Sequence, residues 1–348
     1  MRLYFEKIEL EFKFPAGTSR GVLTKKPSWI LKSAENREVF GECSVIPGLN
    51  KDYQSDTQYE AKLNWVCDTF QALYGQIRDD HLLNFYCSEL SNHPSILFGV
   101  ESLLYRLKTN KGIDPFESSF SRGDASIPIN GLIWMGSIDE MKLRVREKIQ
   151  QGFSVLKFKI GAMDFALEYK LLFEVRKEFG KDIEIRVDAN GAFERKNIKN
   201  VLEQLKNIDI HSIEQPIESG QWELMRELCQ YSSVPIALDE ELIGIQSIED
   251  KINLLESICP QYIILKPSLH GGLIGTLEWV SLAKEMDIGW WITSALESSI
   301  GLEVIARMVG FLKPTIPQGL GTGGLFENNF ESSLVIQNGN LKYKNAKE

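Results

Sequence analysis

Lys157 and Lys159 close an apolar run, VLKFKI, and Asp188, Glu214, Asp239 and Lys266 follow at intervals of about 25 to 30 residues, the rhythm of successive βα units. Each of these four stands at the C-terminal end of a short β-like stretch: IEIRVDAN, HSIEQP, VPIALDEE and QYIILKPS. In a β/α barrel those strand ends face one mouth, so the set describes a ring of ammonium and carboxylate groups around a single volume. Three carboxylates so placed repel one another unless a cation lies between them. Oxygen ligands without a nearby His or Cys select Mg2+, with Mn2+ second. A lysine crowded by other cations is disfavoured as ammonium, and its pKa falls toward the range of a general base. The metal and the remaining ammonium groups would stabilise the enediolate left when a proton is removed α to a carboxylate. Alternation puts Lys157 and Lys159 on one strand face, with Lys266 approaching from the opposite side of the barrel. The KxK pair alone says little, because Lys342 and Lys344 repeat it in the tail; the ordered set carries the argument.

Elements of the right kind surround the ring. Candidate strands at 127–131, 154–160, 183–188, 211–214, 235–239, 261–266 and 289–294 alternate with helical segments. Asp164 can cap a helix with an apolar stripe of Leu167, Leu171 and Val175, and Gly180 can close it. Seven or eight such units close into a barrel, and the Gly-rich phosphate turn of a doubly wound sheet is absent. Before residue 126 the order differs: strands at 3–14, 21–32 and 37–43, then helices at 58–75 and 95–108, which suggests a separate α+β domain. The expected division is therefore 1–125, 126–320 and a C-terminal segment, 321–348, whose strand around Leu334, Val335 and Ile336 packs back on the first domain.

The net charge of −9 leaves no basic footprint, which argues against nucleic acid or an anionic membrane as partner, while clustered lysines in an acidic chain suit a small anionic carboxylate substrate. The N-terminal MRLYFEKIELEFKF alternates like a half-buried strand and does not read as a secretory segment. No apolar stretch approaches the ~18 residues of a membrane span. Five cysteines without CxxC spacing fit a reducing compartment, so a cytoplasmic location is expected. Self-association into a homo-oligomer is compatible with all of this.

With GECSVIPGLN (41–50), PSILFGVESLL (94–104) and SALESSIGL (294–302) added to the ring, the chain resembles the enolase superfamily, in its muconate-lactonizing subgroup, over essentially its whole length. That class is known for a Lys or His base working with Mg2+. The resemblance implies a modified (β/α)8 TIM-type barrel, (β/α)7β, under an α+β capping domain. It implies Lys159 as general base, Lys266 as the group opposing enediolate charge from the other face, Lys157 as an electrostatic assistant, and Asp188, Glu214 and Asp239 as Mg2+ ligands. Asn190, Arg186 and Glu240 would orient those ligands. Ser294, Glu297 and Ser299 would shape the substrate end, and Arg20, in a covering loop, would contact a substrate carboxylate. Within the subgroup, the resemblance implies a syn dehydration of 2-succinyl-6-hydroxy-2,4-cyclohexadiene-1-carboxylate; the alternative is an N-succinylamino acid racemase or dipeptide epimerase. SALESS in place of a paired-aspartate pattern argues against the epimerase. A Schiff-base aldolase using Lys266 and a non-catalytic barrel are the more distant readings. His270 reads as a satisfied surface histidine.

Overall fold

The computed structural model describes residues 1–18 and 21–344. Its first three strands, β1 (Leu3–Thr18), β2 (Gly21–Ser33) and β3 (Phe40–Ser44), form an antiparallel sheet in that order. Alternation along β1 buries Leu10 and Phe12 and leaves Glu9 and Glu11 in water. Three helices follow: α1 (Asp56–Leu73), α2 (Asp79–Glu89) and α3 (Pro94–Asn110). The Ser55 hydroxyl accepts the Gln58 N–H to start α1, and Pro94 opens α3 without costing a hydrogen bond. Trp29, Tyr59, Phe70, Tyr86 and Leu103 fill the core of this cap. Where β3 crosses α3 the backbones touch: a Cβ on Gly41 would lie 1.9 Å from the Gly99 carbonyl oxygen.

After β4 (Ser126–Pro128) the chain alternates strand and helix: β5 (Gly131–Ile133), α4 (Ile138–Gln150), β6 (Val155–Lys159), α5 (Phe165–Phe179), β7 (Glu184–Asp188), α6 (Ile198–Asn207) and β8 (Ser212–Glu214). It continues through α7 (Trp222–Tyr231), β9 (Ile236–Leu238), α8 (Ile248–Ile258), β10 (Tyr262–Leu265), α9 (Gly272–Glu285), β11 (Gly289–Ile292) and α10 (Ser299–Leu312), and ends in the hairpin β12 (Leu334–Gln337) and β13 (Asn340–Tyr343). Strands β5 to β11 pair in parallel with their sequence neighbours. The eighth position is held by two residues: Gln318 bridges to Ile129 and Gly319 to Thr293, both in parallel sense. The ring is thus a (β/α)7β barrel with an α+β cap.

Local chemistry explains the helices. Ser137 and Glu140 make a reciprocal capping box at α4. Asp164 accepts the Ala166 N–H at 3.0 Å to start α5, and Gly180 ends it at φ 62. Leu171 and Val175 of the expected stripe are buried, but Leu167 is 51% exposed and lies on the solvent side. The expected first barrel strand, 127–131, divides in two. β4 leaves the barrel to pair with β13, and the barrel begins at β5. Of the C-terminal segment, residues around Leu325 and Glu327 exchange backbone hydrogen bonds with Lys13 and Glu11 of β1, while the β12–β13 hairpin lies on β4.

Cap and barrel are joined by carboxylates set into helix starts, where free N–H groups and the helix dipole favour negative charge. Glu101 of α3 accepts the N–H groups of Leu273 and Ile274 at the start of α9. Glu42 of β3 accepts those of Ser298, at 2.9 Å, and Gly301, at 3.0 Å, at the start of α10. No helix among the described residues is long and apolar enough to cross a membrane.

Candidate active site

Period-2 alternation along β6 turns Lys157 and Lys159 into the barrel. Asp188 and Glu214 end β7 and β8, and Asp239 and Lys266 follow β9 and β10. The three acids are buried and lie behind the lysines, whose ammonium groups meet them. Lys157 Nζ donates to Glu214 Oε2 at 2.6 Å and stands 2.8 Å from Asp188 Oδ2. Lys159 Nζ donates to Asp188 Oδ2 at 2.6 Å and to Asn190 Oδ1 at 2.8 Å, and Lys266 Nζ pairs with Asp239 Oδ2.

The three lysines differ in the direction their surroundings push them. Burial pulls Lys157 down, but Asp188 and Glu214 outweigh it and raise its pKa; Lys266 is likewise raised, by Asp239 above all. Lys159 ends below the usual lysine range. Burial and the ammonium groups of Lys157 and Lys266 outweigh the Asp188 carboxylate that it touches, whose charge Lys157 shares. Among the acids, Asp188 resists the upward push of burial because Lys157, Lys159 and Lys266 hold it well below the carboxylate range; for Asp239, Lys266 outweighs burial and the neighbouring Asp188, and its pKa is lowered. Glu214 is pushed well up by burial and by Asp188 beside it.

Among the described residues, no three His, Cys, Asp or Glu side chains stand in a ready metal-binding group. Ammonium groups hold one oxygen of each acid. Glu214 Oε1 and Asp239 Oδ1, however, are buried and have no hydrogen-bond partner among the described residues. Two orphaned oxygens, one of them on a carboxyl that burial and its acidic neighbour force toward protonation, suit a hard cation well.

Lys157, Lys159 and Lys266 line one cavity of about 360 Å3, within the range of small-molecule sites. The cap supplies Val22, Leu23 and Ile46 to its wall; the barrel supplies Leu132, Trp134 and Leu296. Its polar end holds Asn130, Thr293, Ser294 and Thr322, with the Ser294 and Thr322 hydroxyls 2.5 Å apart.

Of the other expected residues, Asn190 and Glu240 belong to this constellation. Asn190, at φ 45, donates its backbone N–H to Asp188 Oδ1 at 3.1 Å and its amide to Glu240 Oε1 at 3.0 Å. Ser294 reaches the cavity, whereas Glu297 and Ser299 do not line it: Glu297 accepts from Ser268 inside the cap–barrel seam, and the Ser299 N–H donates to Asn329. Arg186 lies deeper in the barrel, bonded to Glu184 and the Pro317 carbonyl and stacked 4.4 Å from the Trp291 ring, so it does not touch the acids. Arg20 lies outside the described residues. His270 is fully buried, contrary to its reading as a surface residue, and its Nδ1 accepts the Lys266 N–H at 3.0 Å. Gln215 went unnoticed in the sequence: at φ 39, its Oε1 accepts the N–H groups of Asp239 and Glu241, tying one acid-bearing strand end to the next. Nothing in its spacing signals that task.

The chain belongs to the enolase C-terminal domain-like family, whose model matches residues 140–346. Fold and site together define a member of the enolase superfamily. Within it, the chain is 42% identical to an o-succinylbenzoate synthase from Desulfotalea psychrophila, over 98% of each chain. The crystal structure of MenC from Desulfotalea psychrophila LSv54 superposes with a TM-score of 0.83 at 38% identity, covering 98% of this chain and 99% of that one. A dipeptide epimerase from Cytophaga hutchinsonii, solved in complex with Mg and the dipeptide D-Ala-L-Val, shares the fold at TM-score 0.83 and 19% identity, over 99% and 93% of the two chains.

Proposed function

We propose that this protein catalyses the o-succinylbenzoate synthase reaction, dehydrating 2-succinyl-6-hydroxy-2,4-cyclohexadiene-1-carboxylate to o-succinylbenzoate for menaquinone biosynthesis. The carrying observation is that three lysines, each touching one of the three acids, line one cavity in a chain with end-to-end similarity to such a synthase. Lys159, with its depressed pKa, takes the proton from the ring carbon α to the carboxylate. Lys266 remains an ammonium and opposes the negative charge that develops on the substrate. Lys157, pinned between Asp188 and Glu214, keeps a positive charge beside Lys159 and so keeps its basicity low. The Lys159 ammonium then returns the proton to the departing hydroxyl on the same face. The C–O bond breaks, water leaves and the ring becomes aromatic. Asp188, Glu214 and Asp239 would hold Mg2+, with Mn2+ as a substitute, and the bound ion supplies positive charge at the substrate carboxylate. The apolar wall from cap and barrel limits access of water to the reacting carbon.

Racemisation of an N-succinylamino acid would need a second base on the opposite face. The raised pKa of Lys266 disfavours it in that role. The deciding assay gives the purified protein the cyclohexadiene substrate with Mg2+ and follows aromatic product by ultraviolet absorbance. Product that disappears with EDTA supports the proposal. Folded protein that makes no aromatic product, or product formation indifferent to EDTA, refutes it.

A further inference from the structure

At the seam between cap and barrel, three groups that carry charge are sealed from water away from the lysine ring: Lys26 of β2, Glu42 of β3 and Glu297 just before α10, each fully buried. Lys26 Nζ makes a hydrogen bond to Ser44 Oγ and, among the described residues, has no carboxylate in direct contact. Glu42 is fully engaged, taking the Ser28 hydroxyl at 2.8 Å and the Ser298 hydroxyl at 2.6 Å besides its two N–H donors from α10. Glu297 is half-engaged: one oxygen accepts from Ser268, and Oε2 has no partner among the described residues. Burial pulls the Lys26 pKa down and pushes that of Glu297 up; against it, the fields of Lys26 and the carboxylates favour one another's charged forms, while Glu42 and Glu297 repel each other.

The place of this cluster matters more than its composition. Lys26 is three residues from Leu23, Ser44 two from Ile46, and Glu297 adjacent to Leu296, and Leu23, Ile46 and Leu296 all line the substrate cavity. Two of those walls belong to the cap and one to the barrel. We infer that Lys26 is a positioning residue: its buried ammonium holds the like-charged Glu42 of the cap and Glu297 of the barrel together across the seam, and thereby sets the distance between the two walls of the cavity.

A lysine is needed there because the two acids cannot be brought together and desolvated without a compensating charge. Removing the ammonium leaves two carboxylates in a low-dielectric gap. They relieve the repulsion by separating, which lifts Leu23 and Ile46 away from Leu296. Ligand binding weakens, while the Lys159–Lys266 geometry inside the barrel stays as it was.

The test compares wild type, Lys26→Met and Lys26→Met/Glu297→Gln by amide hydrogen exchange of the free protein, then by steady-state kinetics. The exchange arm needs no substrate; the kinetic arm rests on the dehydration proposed above, so failure of that reading leaves the exchange result standing. Lys26→Met should exchange about tenfold faster in segments 21–33 and 294–301, with segment 184–214 unchanged, as a local opening requires. The same variant should raise KM about tenfold with kcat held within about threefold, the signature of lost uniform binding. Removing one of the repelling charges with Glu297→Gln should restore both protection and KM. If Lys26→Met does not fold, the double variant is read alone and must fold with near wild-type protection at the seam. The inference is overturned if exchange rises uniformly over the molecule, if KM stays put while kcat collapses, or if Glu297→Gln restores nothing.

Discussion

His270 offers a sharp test of the electrostatics around the ring. It is fully buried, accepts the Lys266 N–H through Nδ1, and its pKa is lowered to about 3, first by burial. In the unfolded chain it would titrate near the ordinary value of about 6.5. A folded pKa below the unfolded one means that its contribution to stability is full above about pH 6.5 and is lost as pH falls toward about 3. Between about pH 7.5 and pH 5 the unfolded state gains a proton that the native state refuses, and the loss amounts to roughly 2 kcal/mol at about 1.36 kcal/mol per unit. Replacing His270 by Asn keeps an acceptor for the Lys266 N–H and removes the titration. Packing costs of the replacement are the same at both pH values and cancel. Denaturant unfolding of both proteins at the two pH values should therefore show wild type losing about 2 kcal/mol more on acidification than His270→Asn. Equal losses, within about 0.5 kcal/mol, would mean that the imidazole is protonated in the native protein or does not titrate on unfolding.

Two further outcomes follow from the same structure. Lys159 accepts a proton only when neutral, so kcat/KM should rise with pH through its depressed pKa; Lys157→Met removes a neighbouring cation and frees Asp188, and the limb should move to higher pH. A limb that stays or moves down would contradict the assigned charges. Gly41→Ala places a Cβ 1.9 Å from a backbone oxygen of α3, with no flexible side chain to yield, and should cost about 3 kcal/mol, the upper part of the range for overpacking. Denaturant unfolding that finds less than about 1 kcal/mol would show that β3 and α3 can part freely.

Much of the barrel was legible because its strands and helices each obey one period and its strand ends carry charged residues at even intervals. Lys157, Lys159, Asp188, Glu214, Asp239 and Lys266 could be placed together without coordinates for that reason. The failures share a cause. Glu297 and Ser299 lie in a motif that could be assigned to the substrate end, but whether a residue beyond a strand end turns to the cavity or to the cap depends on docking, which no local pattern encodes. Arg186 obeys the alternation of β7, yet alternation gives the face and not the depth. Ile127 was counted with the barrel because β4 and β5 lie end to end; their separation is set by the distant hairpin at Leu341. His270 reads from the sequence as a satisfied surface histidine, and its burial follows from tertiary packing. α2, from Asp79 to Glu89, has two acids in its first turn but buries only Leu82 and Tyr86, too little for a periodic signal.

The two carboxylates that enter the barrel's last helices also have a consequence for biosynthesis. Glu101 waits 172 residues for Leu273, and Glu42 waits 256 for Ser298. At roughly 5 to 20 residues per second, the emerging cap spends roughly 10 to 50 s on the ribosome before both partners have been synthesised. Throughout that interval the face destined for the seam exposes acidic side chains to water, which solubilise it and delay its burial. The cap therefore emerges before the barrel and is finished after it, and Glu42 and Glu101 tie its completion to the synthesis of residues 273–301.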